Sequence, residues 1–580
     1  MAVNSPREPQ LSRIVEIAGG IRAADVPVEL IVKYYGDLPA AAAGLEGETE
    51  LLSPSYAIVT LPLKNVDALY QLPEIEYVEL PKNLSYYLRT ERRNVCATVV
   101  QDSPEWQLDG SGVLVGIIDS GIDYRHPDFR AEDGTTRILQ LWDQTIPGAP
   151  PPGFRQGSLY TAEQINQALQ SDTPYAVVPS QDTAGHGTAV AGIAAGNGRA
   201  GRGTEKGIAP GAGIAVVKLG NSGLENKTRT TEIMRGAKFI ADLAESLRMP
   251  CAINLSYGTN NGSHTGRSLF ELYLDSVAER GKSVLVVATG NEGDTGHHYS
   301  ALLKPAQETA AEFVISGNQD TVYFSLWKSF LDTVPIQVVA PDGSSTGVIQ
   351  PTQSVTRMVL EHAAVAVLYG QPTEHNAAQE VYIRLQSTAG RPIAQGLWKI
   401  VMTGSAVVDG QIDIWMSTQE EVASQTAFLQ PDAYFSLTLP STAYTAISVG
   451  GYQSELDSIA SFSGRGSNRS EPVEKPDLTA PAVRVISAAV NGGYNAFTGT
   501  SIAAPFVTGA AALMMQWGIV QQNDPFLYNQ RLKAFLRQGA QRSDFSAYPN
   551  PLWGCGRLSV CNAMNQLRRY SAGGGGSVDI

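Results

Sequence analysis

The run Val113-Leu114-Val115-Gly116-Ile117-Ile118-Asp119 restricts the fold of this chain more than any other feature. An apolar stretch without alternation has no wet face, so it predicts a strand covered on both sides, as in the parallel sheets of α/β proteins. The strand ends on a carboxylate, and in open parallel sheets functional sites gather at that carboxyl edge. Further apolar runs lie at 213–219, 251–256, 283–288 and 445–449. Helical periodicity falls between them, at 187–196, 229–247, 268–281 and 502–517. Strands alternating with helices predict a doubly wound α/β sheet.

Two small-residue segments could deliver partners to that edge. In Gly185-His186-Gly187-Thr188-Ala189-Val190-Ala191-Gly192 a histidine opens a helix slim enough to pack closely. In Gly499-Thr500-Ser501-Ile502-Ala503-Ala504-Pro505 a hydroxyl stands at a helix start, where orphan N–H groups and the helix dipole favour an oxyanion. Asp119, His186 and Ser501 make an acid, base and nucleophile set in the order Asp…His…Ser. Asp123 and Asp182 are rival acids. Asp123 falls in a loop past the strand and Asp182 only four residues before His186, so the strand-edge Asp119 is preferred.

At these blocks, and at a fourth, Ala288-Thr289-Gly290-Asn291-Glu292-Gly293, the chain resembles the subtilisin-like serine endopeptidases, the subtilases. The resemblance implies that Ser501 attacks the scissile carbonyl, His186 is the general base, and Asp119 orients the imidazole. It implies that Asn291 donates to the oxyanion, and that Ser256-Tyr257-Gly258 is the edge that pairs with substrate backbone. Asp128, in Tyr124-Arg125-His126-Pro127-Asp128, matches a family calcium ligand. Its partner loop carries Arg199 and Arg202, which disfavour a dication, so no metal and no cofactor are expected.

Composition narrows the class. The 580 residues allow several domains, and a net charge of −14 disfavours nucleic acid as a partner. The polar Met1–Pro9 lacks a secretory pattern, and no membrane span is read, which predicts a cytoplasmic location. Cys96, Cys251, Cys555 and Cys561 show no motif spacing and read as free thiols.

The predicted organisation is an α+β prodomain and connector at 1–96, a first core segment at 97–304 and an antiparallel β-sandwich insert at 305–433. A second core segment follows at 434–570 and a flexible Gly-rich tail at 571–580. A prodomain, the Leu141-Trp142-Asp143-Gln144 segment and a jelly-roll-like insert before the serine resemble the Csp branch of clostridial subtilases, known from spore germination. That resemblance implies a spore-associated location as the alternative to a cytoplasmic one, and protein substrates, among them a cortex-lytic zymogen. It also implies cleavage of the chain's own prodomain near Tyr87, within 85 to 97, with the prodomain retained as a partner. The alternative is a catalytically silent relative serving as a germinant sensor or scaffold.

Overall fold

The computed structural model describes residues 25–79, 90–220, 228–352, 355–361, 363–388, 390–469, 474–544 and 546–573. Tyr87 and the Gly-rich stretch from 574 lie outside them. The chain divides into two compact units, residues 1–87 and 88–580.

The first unit is an antiparallel sheet of β1 (Pro27–Tyr34), β2 (Glu48–Ser53), β3 (Tyr56–Pro62) and β4 (Ile75–Glu79), in the order β2-β3-β1-β4. Val28, Leu30, Val32 and Tyr34 alternate inward from β1 and join Val66 and Leu69 of the helix Val66–Gln71 in one core. β2 was not expected, because its residues are mostly exposed and carry no alternation.

The second unit is built on a parallel sheet. Its first strands are β5 (Leu114–Asp119), β6 (Ile138–Asp143), β7 (Ser158–Thr161), β8 (Gly213–Lys218), β9 (Cys251–Leu255) and β10 (Ser283–Ala288). The order β10-β9-β5-β8-β6 is parallel throughout, with β7 antiparallel at the edge. The chain runs outward from β5 on one side and returns to the other, so the switch point falls at the end of β5. All six residues of β5 are buried, as its unbroken apolar run requires. β6 adds a parallel strand that is not among the apolar runs picked out in the sequence.

The interruption after β10 is a sandwich of two antiparallel sheets. One has the order β11-β19-β13-β17-β16-β15 and the other β14-β18-β12-β20. These strands are β11 (His298–Leu302), β12 (Glu308–Ile315), β13 (Thr321–Ser329), β14 (Ile336–Val339), β15 (Val355–Leu360), β16 (Ala363–Tyr369), β17 (Ala378–Ser387), β18 (Gly396–Thr403), β19 (Gln411–Met416) and β20 (Ala427–Phe428). β11 already belongs to the sandwich, upstream of residue 305. Phe313, Phe324 and Phe428 meet between the sheets, with the first two ring centroids 4.5 Å apart. Truncating Phe324 to Ala would cost about 3–5 kcal/mol.

The core then resumes with β21 (Ile447–Gln453), which pairs in parallel with β10. The helix Thr500–Met515 runs through the centre of the unit. With its continuation to Val520 it is apolar enough to cross a bilayer, yet 94% of that window is buried inside the protein. It is a core helix, and its Ala- and Gly-rich sequence lets it pack beside the helix His186–Ala195.

Two of the four cysteines are not free thiols. Cys96 and Cys561 form a disulfide across 465 residues, with Cα atoms 5.5 Å apart. It ties the start of the second unit to the C-terminal helix Val560–Gly573. Cys251 and Cys555 are free and buried.

Candidate active site

Asp119 closes β5 and is wholly buried. His186 is the first residue of the helix His186–Ala195. That helix is held against the strand end by a carboxylate whose structural part was not foreseen. Asp182 Oδ1 accepts from the Gly185 N–H at 2.9 Å, and Oδ2 accepts from the Thr188 N–H and hydroxyl at 2.9 and 2.7 Å. The Ser120 hydroxyl donates to Asp182 at 2.8 Å and accepts from the Gly187 N–H at 2.9 Å. These bonds satisfy the orphan donors of the helix start. Gly187 is needed for the approach, since a Cβ there would lie 2.1 Å from the Gly121 carbonyl oxygen.

The result is a short contact. His186 Nδ1 donates to Asp119 Oδ1 at 2.7 Å, and the same oxygen accepts from the Ser120 N–H at 2.7 Å. The Asp119 side chain is fully buried, whereas the His186 side chain is 33% exposed. The acid is sequestered and the base is reachable. Burial alone would depress the imidazole pKa. The charge of Asp119 and its hydrogen bond, with help from Asp182, outweigh it and raise the value above 6.5. Fixing Nδ1–H on a carboxylate leaves Nε2 as the acceptor of the neutral ring.

Asp123, the other rival, is also structural. Its carboxylate accepts from Arg125 and from the Asn491 N–H.

Ser501 is the second residue of the helix Thr500–Met515, which begins after Gly499 at φ 146°. Asn291, just past the end of β10, accepts from the Thr500 N–H at 3.0 Å and the Thr500 hydroxyl at 3.1 Å through Oδ1. The amide is thereby oriented with its Nδ2 donors away from Thr500. A Cβ on Gly499 would sit 3.1 Å from Ser501 Oγ and 3.5 Å from Asn291 Nδ2. The hydroxyl and the amide therefore flank one small space that only glycine leaves open. Ser256, following β9, donates its hydroxyl to the Ser501 carbonyl at 3.1 Å and accepts from Asn254 Nδ2 at 2.9 Å. Residues at the ends of three adjacent strands, β10, β9 and β5, thus hold the two helix starts.

Residues 110–426 and 430–556 match the Subtilase family. The chain belongs to the subtilase family. Residues 3–82 match the Csp protease B prodomain. Among solved structures, the CspB protease of Clostridium perfringens aligns with a TM-score of 0.76 at 35% identity, over 83% of this chain and 98% of that one. Subtilisin E of Bacillus subtilis is 29% identical over 57% of this chain and 75% of its own length. The PII-type proteinase of Lacticaseibacillus paracasei is 24% identical over 80% of this chain, which spans 25% of that protein.

In this subtilase Ser256 sits between Asn254 and the serine helix, so its side chain braces that helix. Tyr257 stands near the acids: burial, then the charges of Asp119 and Asp182, push its phenol up to about 12. Gly258 abuts Thr438, and Thr259 and Leu439 exchange backbone hydrogen bonds at 3.0 and 2.9 Å.

The Asp128 carboxylate is engaged by protein donors. It accepts from the Ala200 N–H at 2.8 Å and from the Tyr494 hydroxyl at 2.9 Å. Arg199 donates to the Ala131 and Glu132 carbonyls, so a guanidinium occupies the loop beside it. Among the described residues no cluster of three or more His, Cys, Asp or Glu could hold a metal ion.

Sequence reasoning also missed the residue after Asn291. Glu292 is buried, and its carboxylate accepts from His297 Nδ1 at 2.6 Å, Thr295 Oγ1 at 3.0 Å and the Gln419 N–H at 3.0 Å. Burial raises the Glu292 pKa, but His297, Gln419 and Thr295 together bring it below 4.5. His297 Nε2 faces the Thr426 carbonyl at 3.0 Å. The insert is therefore bonded to the neighbour of Asn291, and the local run Glu-Gly-Asp-Thr-Gly-His offered only a weak hint of it.

Proposed function

We propose that this subtilase is an active serine endopeptidase that cleaves its own prodomain and then acts on protein substrates. Ser501 Oγ attacks the scissile carbonyl while its proton passes to His186 Nε2. His186 returns that proton to the leaving amine, and water then hydrolyses the acyl-enzyme by the same route. Asp119 holds the tautomer and stabilises the imidazolium. Asn291 Nδ2 and the Ser501 N–H bind the developing oxyanion, each donor contributing on the order of 3 kcal/mol. No cofactor enters this chemistry.

The observation that carries the reading is the 2.7 Å bond from a partly exposed His186 to a buried Asp119. The pairing of Ser501 Oγ with Asn291 Nδ2 around Gly499 supports it. The prodomain match at 3–82 supports self-cleavage beyond that segment, and the family resemblance supports a cut near Tyr87. Likeness to the CspB protease supports a finer role, spore-associated activation of a cortex-lytic zymogen during germination. A fluorophosphonate probe tests the chemistry. Wild type should be labelled and should hydrolyse peptides, and Ser501→Ala should do neither. Full peptidase activity in Ser501→Ala would remove Ser501 from this role.

A further inference from the structure

A groove of about 550 Å³ opens beside Tyr257-Gly258-Thr259, the predicted substrate edge. Its size falls in the usual range of about 300–1,000 Å³ for ligand sites. One wall is core: Ile233, Tyr257 and Phe270. The other is supplied by the insert, with Tyr323 from β13 and Tyr382 and Arg384 from β17. The insert therefore borders the place where substrate backbone would lie.

That outer wall is fixed to the edge. The Tyr323 hydroxyl lies 3.3 Å from Thr259 Oγ1 and donates to Glu421 Oε2 at 3.1 Å. Asn260 Nδ2 donates to the Met416 carbonyl at 3.0 Å, joining the residue after Thr259 to β19. Burial, followed by the charge of Glu421, raises the Tyr323 phenol well above its ordinary value, so it stays a neutral donor. The Tyr323 and Tyr382 rings stack with centroids 6.1 Å apart and planes 20° apart. Tyr323 is almost wholly buried, whereas Tyr382 is half-buried and so presents ring surface to the groove.

We propose that the β-sandwich insert is part of the substrate-binding surface, with Tyr382, backed by Tyr323, forming the outer wall of a pocket that selects an aromatic substrate side chain. The chemistry favours that class. The groove is bounded by the Tyr257, Phe270 and Tyr382 rings, which accept another ring edge-on or offset, by Ile233, which adds apolar contact, and by Arg229 and Arg384, whose guanidinium planes stack on aromatic faces. The proposal rests on the protease reading of Ser501. It extends that reading by making the insert a determinant of which peptide is cut.

The test uses the full chain and a positional-scanning library of fluorogenic peptides. Titration with a fluorophosphonate counts active sites, so kcat/KM is compared per active molecule. Wild type should prefer an aromatic residue at one position. Tyr382→Ala should reduce the aromatic-to-alanine ratio of kcat/KM at that position by about tenfold, the discrimination a hydrophobic pocket commonly supplies. Tyr382→Trp keeps a ring on β17 and narrows the groove, so it should penalise a Trp peptide more than a Phe peptide. Unchanged ratios in both variants, or no aromatic preference in wild type, would overturn the proposal. Absence of labelling in wild type would overturn the protease reading together with it, whereas labelled enzyme with an unaltered profile would overturn the insert's role alone.

Discussion

Two histidine–carboxylate pairs flank the candidate site, and their difference is instructive. His186–Asp119 and His297–Glu292 have nearly equal contacts, 2.7 and 2.6 Å, each through Nδ1. In the first, the ring is 33% exposed and Nε2 remains available for chemistry. In the second, both side chains are 3% exposed and Nε2 is committed to the Thr426 carbonyl. A short His–acid bond is therefore no signature of a catalytic base. An accessible second nitrogen is what allows proton transfer, and a ring with both nitrogens engaged is a clamp.

Substituting each histidine should separate these roles most sharply. His186→Ala should lower kcat by about 10⁴-fold or more, with a melting temperature close to wild type. His297→Leu should do the reverse. It removes the histidine donor from the buried Glu292 carboxylate, which keeps the Thr295 and Gln419 donors, a loss of about 1–3 kcal/mol, and lowers the melting temperature, while folded molecules still react with a fluorophosphonate. Equal activity losses in the two variants would erase the distinction.

Asn291→Ala should come next, with kcat reduced about 10²–10³-fold and KM little changed, because the amide matters where oxyanion charge develops. Stopped assays at saturating peptide would reveal it.

The pairs should also part with pH. The raised pKa of His186 means that its bond to Asp119 adds stability fully below 6.5 and loses it as pH climbs through the folded value. Turnover needs the neutral ring, so the acid limb of kcat/KM should have its midpoint above 6.5. Asp119→Asn should lower that midpoint. Glu292 behaves oppositely. With its pKa below 4.5, its contribution is present above 4.5 and lost as pH falls through the folded value. Loss of activity and loosening at the insert should thus occur in separate windows. An acid limb below 6.5 in wild type would contradict the electrostatic account.

The smallest effect concerns metal. Asp128 already has protein donors and Arg199 fills the neighbouring loop. EGTA should leave the melting temperature within a few degrees of its value in calcium. A drop of more than about 10 °C would reveal a bound ion stabilising by mass action.

What sequence could disclose follows from the range of the contacts. The strand ending at Asp119 was legible because burial on both faces forbids alternation. The starts at His186 and Ser501 were legible because helices that pack this closely are rich in Gly and Ala. The sandwich showed in its period of two. Asp182 looked like a rival acid because its cap bonds to Gly185 and Thr188 are invisible without the turn between them. The Thr426 acceptor for His297 lies 129 residues away, and Cys96 meets Cys561 across 465. Such partners leave no local pattern, so sparse cysteines without motif spacing were read as free.

The central claim, that Ser501 is the nucleophile of a self-processing protease, is tested most directly by the intact mass of wild type and Ser501→Ala under denaturing conditions. Wild type should yield two polypeptides divided between residues 85 and 97, at Tyr87 by the present reading. Ser501→Ala should yield a single species near 61.9 kDa. The same two fragments from Ser501→Ala, purified free of other proteases, would contradict the account.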